Sequence, residues 1–183
     1  MKVSREQAAE NRARILEAAG RLFRERGFEG VSVAEVMQAA GLTHGGFYGH
    51  FKSKDDLIAK TLADLTSRRE GGDRDLAAYA HAYLAPEHWK DVAGGCPVAA
   101  LGVDTGRATP EAKAAMTVSL RRQIEALSRM APGETAEAQR ASAIAAWSAM
   151  VGAVVLARMS DDPALSEEVV AATRAVIEGG ERG

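Results

Sequence analysis

Apolar positions recur at helical spacing along nearly the whole chain, and polar or glycine-containing breaks cut that pattern into successive helices. In Ser4–Gly27 the stripe is Ile15, Leu16, Ala19, Leu22 and Phe23, the i, i+3, i+4 signature of a helix buried along one side. Ser4 with Gln7 three residues on predicts its start, and Gly27 its end. Arg5, Arg12, Arg14, Arg21, Arg24 and Arg26 fall mostly on other faces, so a solvated charged surface with Glu10, Glu17 and Glu25 as partners is expected.

The next stretch, Ser32 to Lys54, is denser in signals. Ser32 and Glu35 form a capping box, and Val33, Val36, Met37 and Ala40 give one apolar face. Gly41 ends that short helix, Leu42 packs back under the turn, and Thr43 caps a second helix running toward Phe51. Two short helices joined by a glycine turn predict a helix-turn-helix, whose second helix lies in the major groove of DNA. That second helix carries Gly45, Gly46 and Gly49, each costing about 0.8–1 kcal/mol against alanine in a helix interior. Such a composition suits a backbone that approaches another surface closely. Phe47 and Phe51, at i and i+4, are expected to face inward, leaving Thr43, His44, Gly45, Tyr48 and His50 outward.

Ser53 caps the following helix, with Leu57, Ile58, Leu62 and Leu65 on its buried side. Lys52 and Lys54 stand at its start, where lysine suits a phosphate better than it suits the helix dipole. Thr43, His44 and Gly45 are the candidates for base edges, and Ser32, Tyr48, His50, Lys52 and Lys54 those for phosphates.

The run G-L-T-H-G-G-F-Y-G-H-F-K-S-K-D-D-L resembles the DNA-binding signature of the TetR family of bacterial transcriptional repressors. Tyr48, His50, Phe51 and Lys54 meet that family's Tyr-x-His-Phe-x-x-Lys pattern. The likeness covers roughly residues 5 to 66, and Gly49 departs from it, standing where many relatives carry a bulkier residue. The resemblance implies repression of an operator by a homodimer, release by a small-molecule effector, and phosphate contacts from Lys2 and Arg5 at the N-terminal end.

Beyond the polar break Arg69–Arg74 the chain again reads as helices throughout, so the expected organisation is an all-α protein. Residues 1–68 form a three-helix helix-turn-helix domain, and residues 69–183 a helical effector-binding and dimerisation domain. A short helix from Asp75 to Tyr83 stops at Pro86, Trp89 lies in a loop, and Pro97 opens another helix. Thr109-Pro110 starts one that runs to about Met130. A long helix, Thr135–Met159, has Ile144, Trp147, Met150, Val151, Val154 and Val155 on its apolar face, and Asp162-Pro163 opens the last, with Val169, Val170, Thr173, Val176 and Ile177 as its stripe. These last two helices expose more apolar surface than one short chain covers, which predicts a two-fold dimer through them. Tyr79, Tyr83, Trp89, Cys96, Met116, Trp147 and Met150 are the candidate lining of an effector pocket for an apolar or aromatic molecule.

Composition changes this picture little. The chain has 183 residues, 46% of them hydrophobic and 5% aromatic, with a net charge of −2. Residues 1–70 carry 12 Lys/Arg against 10 Asp/Glu, and the remainder 11 against 15, a polarity of the right sign for DNA at the N-terminal end. With no run of about 18 uncharged apolar residues and no apolar leader, a cytoplasmic protein is expected. The single cysteine, Cys96, excludes an internal disulfide and offers a redox- or electrophile-sensing alternative, since it precedes an expected helix start. Paired with His81 or His88 it would also be the nucleophile of a small thiol hydrolase, but no acid partner is apparent. Neither a cofactor motif nor a metal-site spacing is present, and no enzymatic activity is expected.

Overall fold

The computed structural model describes residues 4–67 and 75–179; Lys2 and the break Arg69–Arg74 lie outside them. Among the described residues all regular structure is helical. In order these are α1 (Arg5–Arg26), α2 (Val33–Ala39), a 3-10 segment (His44–Gly49), α3 (Lys54–Ser67), α4 (Leu76–Tyr83), α5 (Pro86–Trp89), α6 (Pro97–Arg107), α7 (Pro110–Ser128), α8 (Ala136–Met159) and α9 (Pro163–Gly179). Two compact units emerge, Met1–Arg69 with Ala100–Ser119 and Glu70–Ala99 with Leu120–Gly183.

In the first unit Ser4, Ser32 and Ser53 cap as their residue types demand, but Thr43 stands at the start of its segment without a side-chain cap bond, so that expectation is corrected. The Ser4 hydroxyl accepts from the Gln7 amide at 3.1 Å, while the Gln7 side chain turns to Glu10 and Asn11 instead of closing a full box. The Ser32–Glu35 box is complete in both directions. Gly27 and Gly41 take φ of +72° and +67°, the left-handed region that only glycine enters without strain. Ile15, Ala19, Phe23, Val36, Met37, Phe47, Phe51, Leu57 and Leu62 are buried here, so the apolar stripes of α1, α2 and α3 converge as their spacing requires.

The second unit is built on α8 and α9, which pack along each other, with α4 and α5 against them. Its core gathers Leu76, Tyr83, Leu84, Trp89, Leu127, Trp147, Met150, Val154 and Val170. Two expectations are corrected. Pro86 does not merely stop α4 but occupies the first turn of α5, where its missing N–H leaves no bond unmade, and this places Trp89 in a helix. Ile144 is 40% exposed, the buried face of α8 being centred on Ala143, Trp147, Met150 and Val154.

By length and composition alone α8 is apolar enough to cross a membrane, with a mean hydropathy of 1.6 in its most apolar stretch. Its residues between Arg140 and Arg158 carry no charge, a run close to the expected threshold. A third of that stretch is buried, and the buried stripe packs into the core of the second unit.

Candidate nucleic-acid interface

The second element of the helix-turn-helix is not an α-helix. Residues His44–Gly49 close i→i+3 bonds, Gly46 N–H to Thr43 O at 3.0 Å and His50 N–H to Phe47 O at 2.9 Å. Three glycines in six residues withhold the propensity that would carry an α-helix through, and a short 3-10 segment results.

Its anchoring is strong. Phe47 is fully buried, meets Tyr48 edge-on at 5.3 Å and stacks on Phe51 at 5.7 Å. This inward pair throws the rest of the segment outward as expected. Thr43, His44 and Gly45 are exposed, Tyr48 is 73% exposed, and His50 is half-buried. A Cβ added at Gly45 or Gly49 would meet nothing within 4 Å. Packing inside the chain therefore does not require glycine at either position.

Lys52 is exposed and Lys54, the first residue of α3, is half-buried. Asp56 turns back to accept from the Lys52 amide at 3.1 Å, while its own amide donates to the Ser53 hydroxyl at 3.1 Å. Ser32 is less available than its residue type suggests. Its hydroxyl donates to Glu35 Oε2 at 2.7 Å and its amide to the same oxygen at 2.8 Å.

Those bonds, together with Arg26 at 2.8 Å, act on Glu35. The Ser32 backbone first, then its hydroxyl, then Arg26 hold the Glu35 carboxyl down at about 2, against 4.5 ordinarily. Because the folded value is depressed, the stabilisation is complete above pH 4.5 and disappears as pH falls toward 2. The thermal midpoint of Glu35→Gln is accordingly expected to lie below that of the wild type at pH 6 and to converge on it near pH 2. A deficit that persists unchanged at pH 2 would mean that ionisation of Glu35 is not what holds the cap. The Arg26 and Glu35 side chains are 41% and 44% exposed, so salt weakens their pairing.

Two arginines missed in the sequence stand behind the exposed face. Arg12 donates to the His50 carbonyl at 2.7 Å and lies over the Phe51 ring, 4.3 Å from its centroid. Arg14 donates to the Ala40 carbonyl at 2.5 Å. A solvated face was expected for most of the α1 arginines; Arg14 is exposed while making this bond, whereas Arg12 is half-buried. A signal for Arg12 was present: it precedes Ile15 and Leu16 by three and four residues, so it extends the buried stripe of α1. Nothing comparable marks Arg14, which reaches its partner across a surface groove between α1 and the end of α2. That groove, about 560 Å³, is lined by residues including Glu17, Arg21, Gln38 and Gly41.

The second unit brings most of the pocket candidates together. Tyr83, Trp89, Cys96, Trp147 and Met150 belong to its buried core, with Tyr79 packed against them. Tyr79 stacks on Tyr83 at 5.8 Å and accepts from Gln123 at 3.0 Å. Met116, also buried, belongs to the first unit. Cys96 is only 2% exposed. Of the histidines considered with it, His81 lies 3.7 Å from Glu178, and His88 Nδ1 lies 2.6 Å from the Tyr83 carbonyl.

Sequence reasoning also passed over Arg158. It donates from Nε to the Trp89 carbonyl at 2.7 Å and from Nη2 to the Asp91 carbonyl at 3.2 Å. Burial pulls its pKa below the ordinary arginine value, opposed by Cys96, Tyr83 and Asp91. A Cβ at Gly95 would come within 2.7 Å of Nη2 and 2.4 Å of the Asp91 carbonyl. The backbone can approach this arginine only because residue 95 has no side chain.

Comparison with known proteins finds relatives of this chain. The family model described as "Bacterial regulatory proteins, tetR family" matches residues 15–61. The HTH-type transcriptional regulator TtgR of Pseudomonas putida is 40% identical over 62 residues, which cover 34% of this chain and 30% of that protein. The chain thus spans under a third of that relative's length. An uncharacterised HTH-type transcriptional regulator of Mycobacterium tuberculosis is 28% identical over 166 residues, covering 82% of this chain and 86% of that one. Among solved structures, a TetR-family transcriptional regulator from Agrobacterium tumefaciens aligns with a TM-score of 0.75 at 21% identity over 93% of this chain and 97% of its own. The reduced form of NemR from E. coli aligns with a TM-score of 0.73 at 20% identity, over 92% and 95% respectively. Likeness at this level establishes the fold.

Proposed function

The chain belongs to the tetR family of bacterial regulatory proteins, and from that premise we propose that it is a transcriptional repressor that binds a palindromic operator as a homodimer and is released by a small-molecule effector. The observation that carries the reading is the 3-10 segment. Thr43, His44 and Gly45 are held outward by a buried Phe47–Phe51 pair and flanked by Lys52 and Lys54. Threonine and histidine supply a methyl group and a ring donor or acceptor to base edges, while Tyr48, His50 and the two lysines meet phosphates and set register. Ser32 joins the phosphate set only by exchanging its bonds to Glu35. The open space beside Gly45 and Gly49 leaves the backbone room to approach the groove.

Dimerisation is supported by the apolar side chains left exposed on α8 and α9. Leu156, Met159, Leu165 and Val176 are 57%, 76%, 48% and 75% exposed. Joined two-fold through these helices, the copies present reading segments about 34–36 Å apart, one turn of DNA. The effector is assigned to the second unit, around Tyr79, Tyr83, Trp89, Trp147 and Met150. It must favour the form whose reading segments are mis-spaced. Such a protein works where the bacterial chromosome is, in the cytoplasm. Burial of Cys96 withholds its thiol from oxidants and electrophiles, which weighs against the sensing alternative.

Selection of bound duplexes from a random DNA library tests the reading. Enrichment of a palindrome with half-sites one helical turn apart is expected. Thr43→Ala and His44→Ala should each relax base preference by roughly tenfold, in keeping with about 1–3 kcal/mol per good base contact. Tyr48→Phe and Lys54→Ala should weaken all sequences alike, the lysine change with a shallower salt dependence. No enrichment at low salt, or four variants behaving identically, would overturn the assignment.

A further inference from the structure

We infer that Arg12 and Arg14 are positioning residues that set the register of the DNA-reading segment from behind, without touching DNA. The inference rests on the DNA-binding reading above for its consequence, but on the free protein for its geometry.

The reading segment is intrinsically weak. It is a 3-10 turn of six residues with three glycines, and i→i+3 bonds are poorer in geometry than those of an α-helix. Its terminal carbonyls have no partner inside the element. The preceding turn, Ala40–Gly41–Leu42, has the same difficulty at the end of α2. Both ends are gripped from α1. Arg14 donates to the carbonyl of Ala40, the C-cap of α2, immediately before the turn. Arg12 donates to the carbonyl of His50, the C-cap of the reading segment, immediately after it. Each is a charge-assisted bond to a main-chain oxygen, roughly twice the strength of a neutral one.

Arg12 holds a second handle. Its guanidinium plane lies over the Phe51 ring, and Phe51 stacks on Phe47. One side chain therefore joins the buried stripe of α1, the aromatic anchor and the last carbonyl of the segment. Thr43, His44 and Gly45 sit between the two grips, so the grips decide where these residues stand relative to α1. Lysine would not reproduce this at position 12, because an ammonium neither stacks as a plane nor offers a fixed fork.

Two measurements on the full-length protein test the pair. The first is amide hydrogen exchange of the free protein, comparing wild type with Arg12→Met and Arg14→Met. The amides of Gly46, His50 and Phe51, which bond to Thr43 and Phe47, are expected to exchange at least tenfold faster in Arg12→Met. Those in the middle of α1 and α3 should keep their wild-type protection. The second is the ratio of affinity for the selected operator to affinity for a scrambled duplex, compared at equal salt. This ratio should fall at least tenfold in either variant, and Arg12→Lys should recover only part of it.

Unchanged exchange at Gly46, His50 and Phe51 would overturn the inference. A lowered thermal midpoint with an unchanged affinity ratio would also overturn it, since that is the mark of a purely structural residue. Equal loss for both duplexes with a shallower salt dependence would instead make these arginines phosphate contacts. If wild type selects no operator, the DNA-binding reading fails by itself, and the exchange data still decide whether the grips exist.

Discussion

Replacing Phe47 with alanine is expected to destabilise the first unit by about 3–5 kcal/mol, the usual cost of emptying a fully buried aromatic site. Phe47 has no exposed surface, and its neighbours Tyr48 and Phe51 hold it at 5.3 and 5.7 Å. A domain of ordinary stability has only about 5–15 kcal/mol to lose. The same ring is the point from which the reading segment projects, so operator affinity should fall at least a hundredfold at temperatures where the protein remains folded. Urea titration followed by far-UV circular dichroism, with binding measured by anisotropy of a labelled duplex, gives both numbers. A loss below about 1 kcal/mol would mean that the site collapses onto the remaining side chains. Unchanged operator affinity in the folded variant would mean that Phe47 does not hold the segment in place.

The second large effect is expected at Arg158. Arg158→Met removes the donor that serves the carbonyls of Trp89, the last residue of the four-residue helix α5, and of Asp91 just beyond it, at 2.7 and 3.2 Å. A hydrogen bond from a charged group contributes about 1.5–3 kcal/mol. Arg158 is only half-buried, so water compensates part of the loss, and about 2–3 kcal/mol in total is expected. The chain has two tryptophans, Trp89 and Trp147, and both lie in the core of the second unit. Their fluorescence therefore reports directly on this change. Denaturant midpoints read by tryptophan emission should drop in Arg158→Met and recover only slightly in Arg158→Lys, since an ammonium cannot reproduce the planar fork. Full recovery by lysine would show that charge alone, not the geometry of the guanidinium, organises the end of α5.

What could be read along the chain was whatever acts over three or four residues. Ser4 with the Gln7 amide, Ser32 with Glu35, and Ser53 with the Asp56 amide all cap where their residue types and spacing placed them. Gly27 and Gly41 end helices in the backbone conformation expected of glycine. Phe47 and Phe51 turned inward and carried Thr43, His44 and Tyr48 outward, because two aromatics one helical turn apart leave little choice of face. Even the glycines that made the reading segment a 3-10 turn were visible beforehand, although a helix was expected there in spite of them.

Contacts between residues far apart in the chain had to wait for the fold. Arg12 and His50 are 38 positions apart, and Arg158 and Trp89 are 69. No local pattern announces that a long, flexible cation will end on a carbonyl of another element, since the same side chain is equally stable in water at a solvated face. The buried face of α8 was similarly misplaced at Ile144. Its alanines, valines and isoleucine are apolar on several sides, and only packing against α9 and α4 selected Ala143 and Val154 over Ile144. Caps, turns and aromatic anchors are short-range and follow from residue type; the grip on the reading segment and the choice of core face are long-range and exist only once the chain has closed on itself.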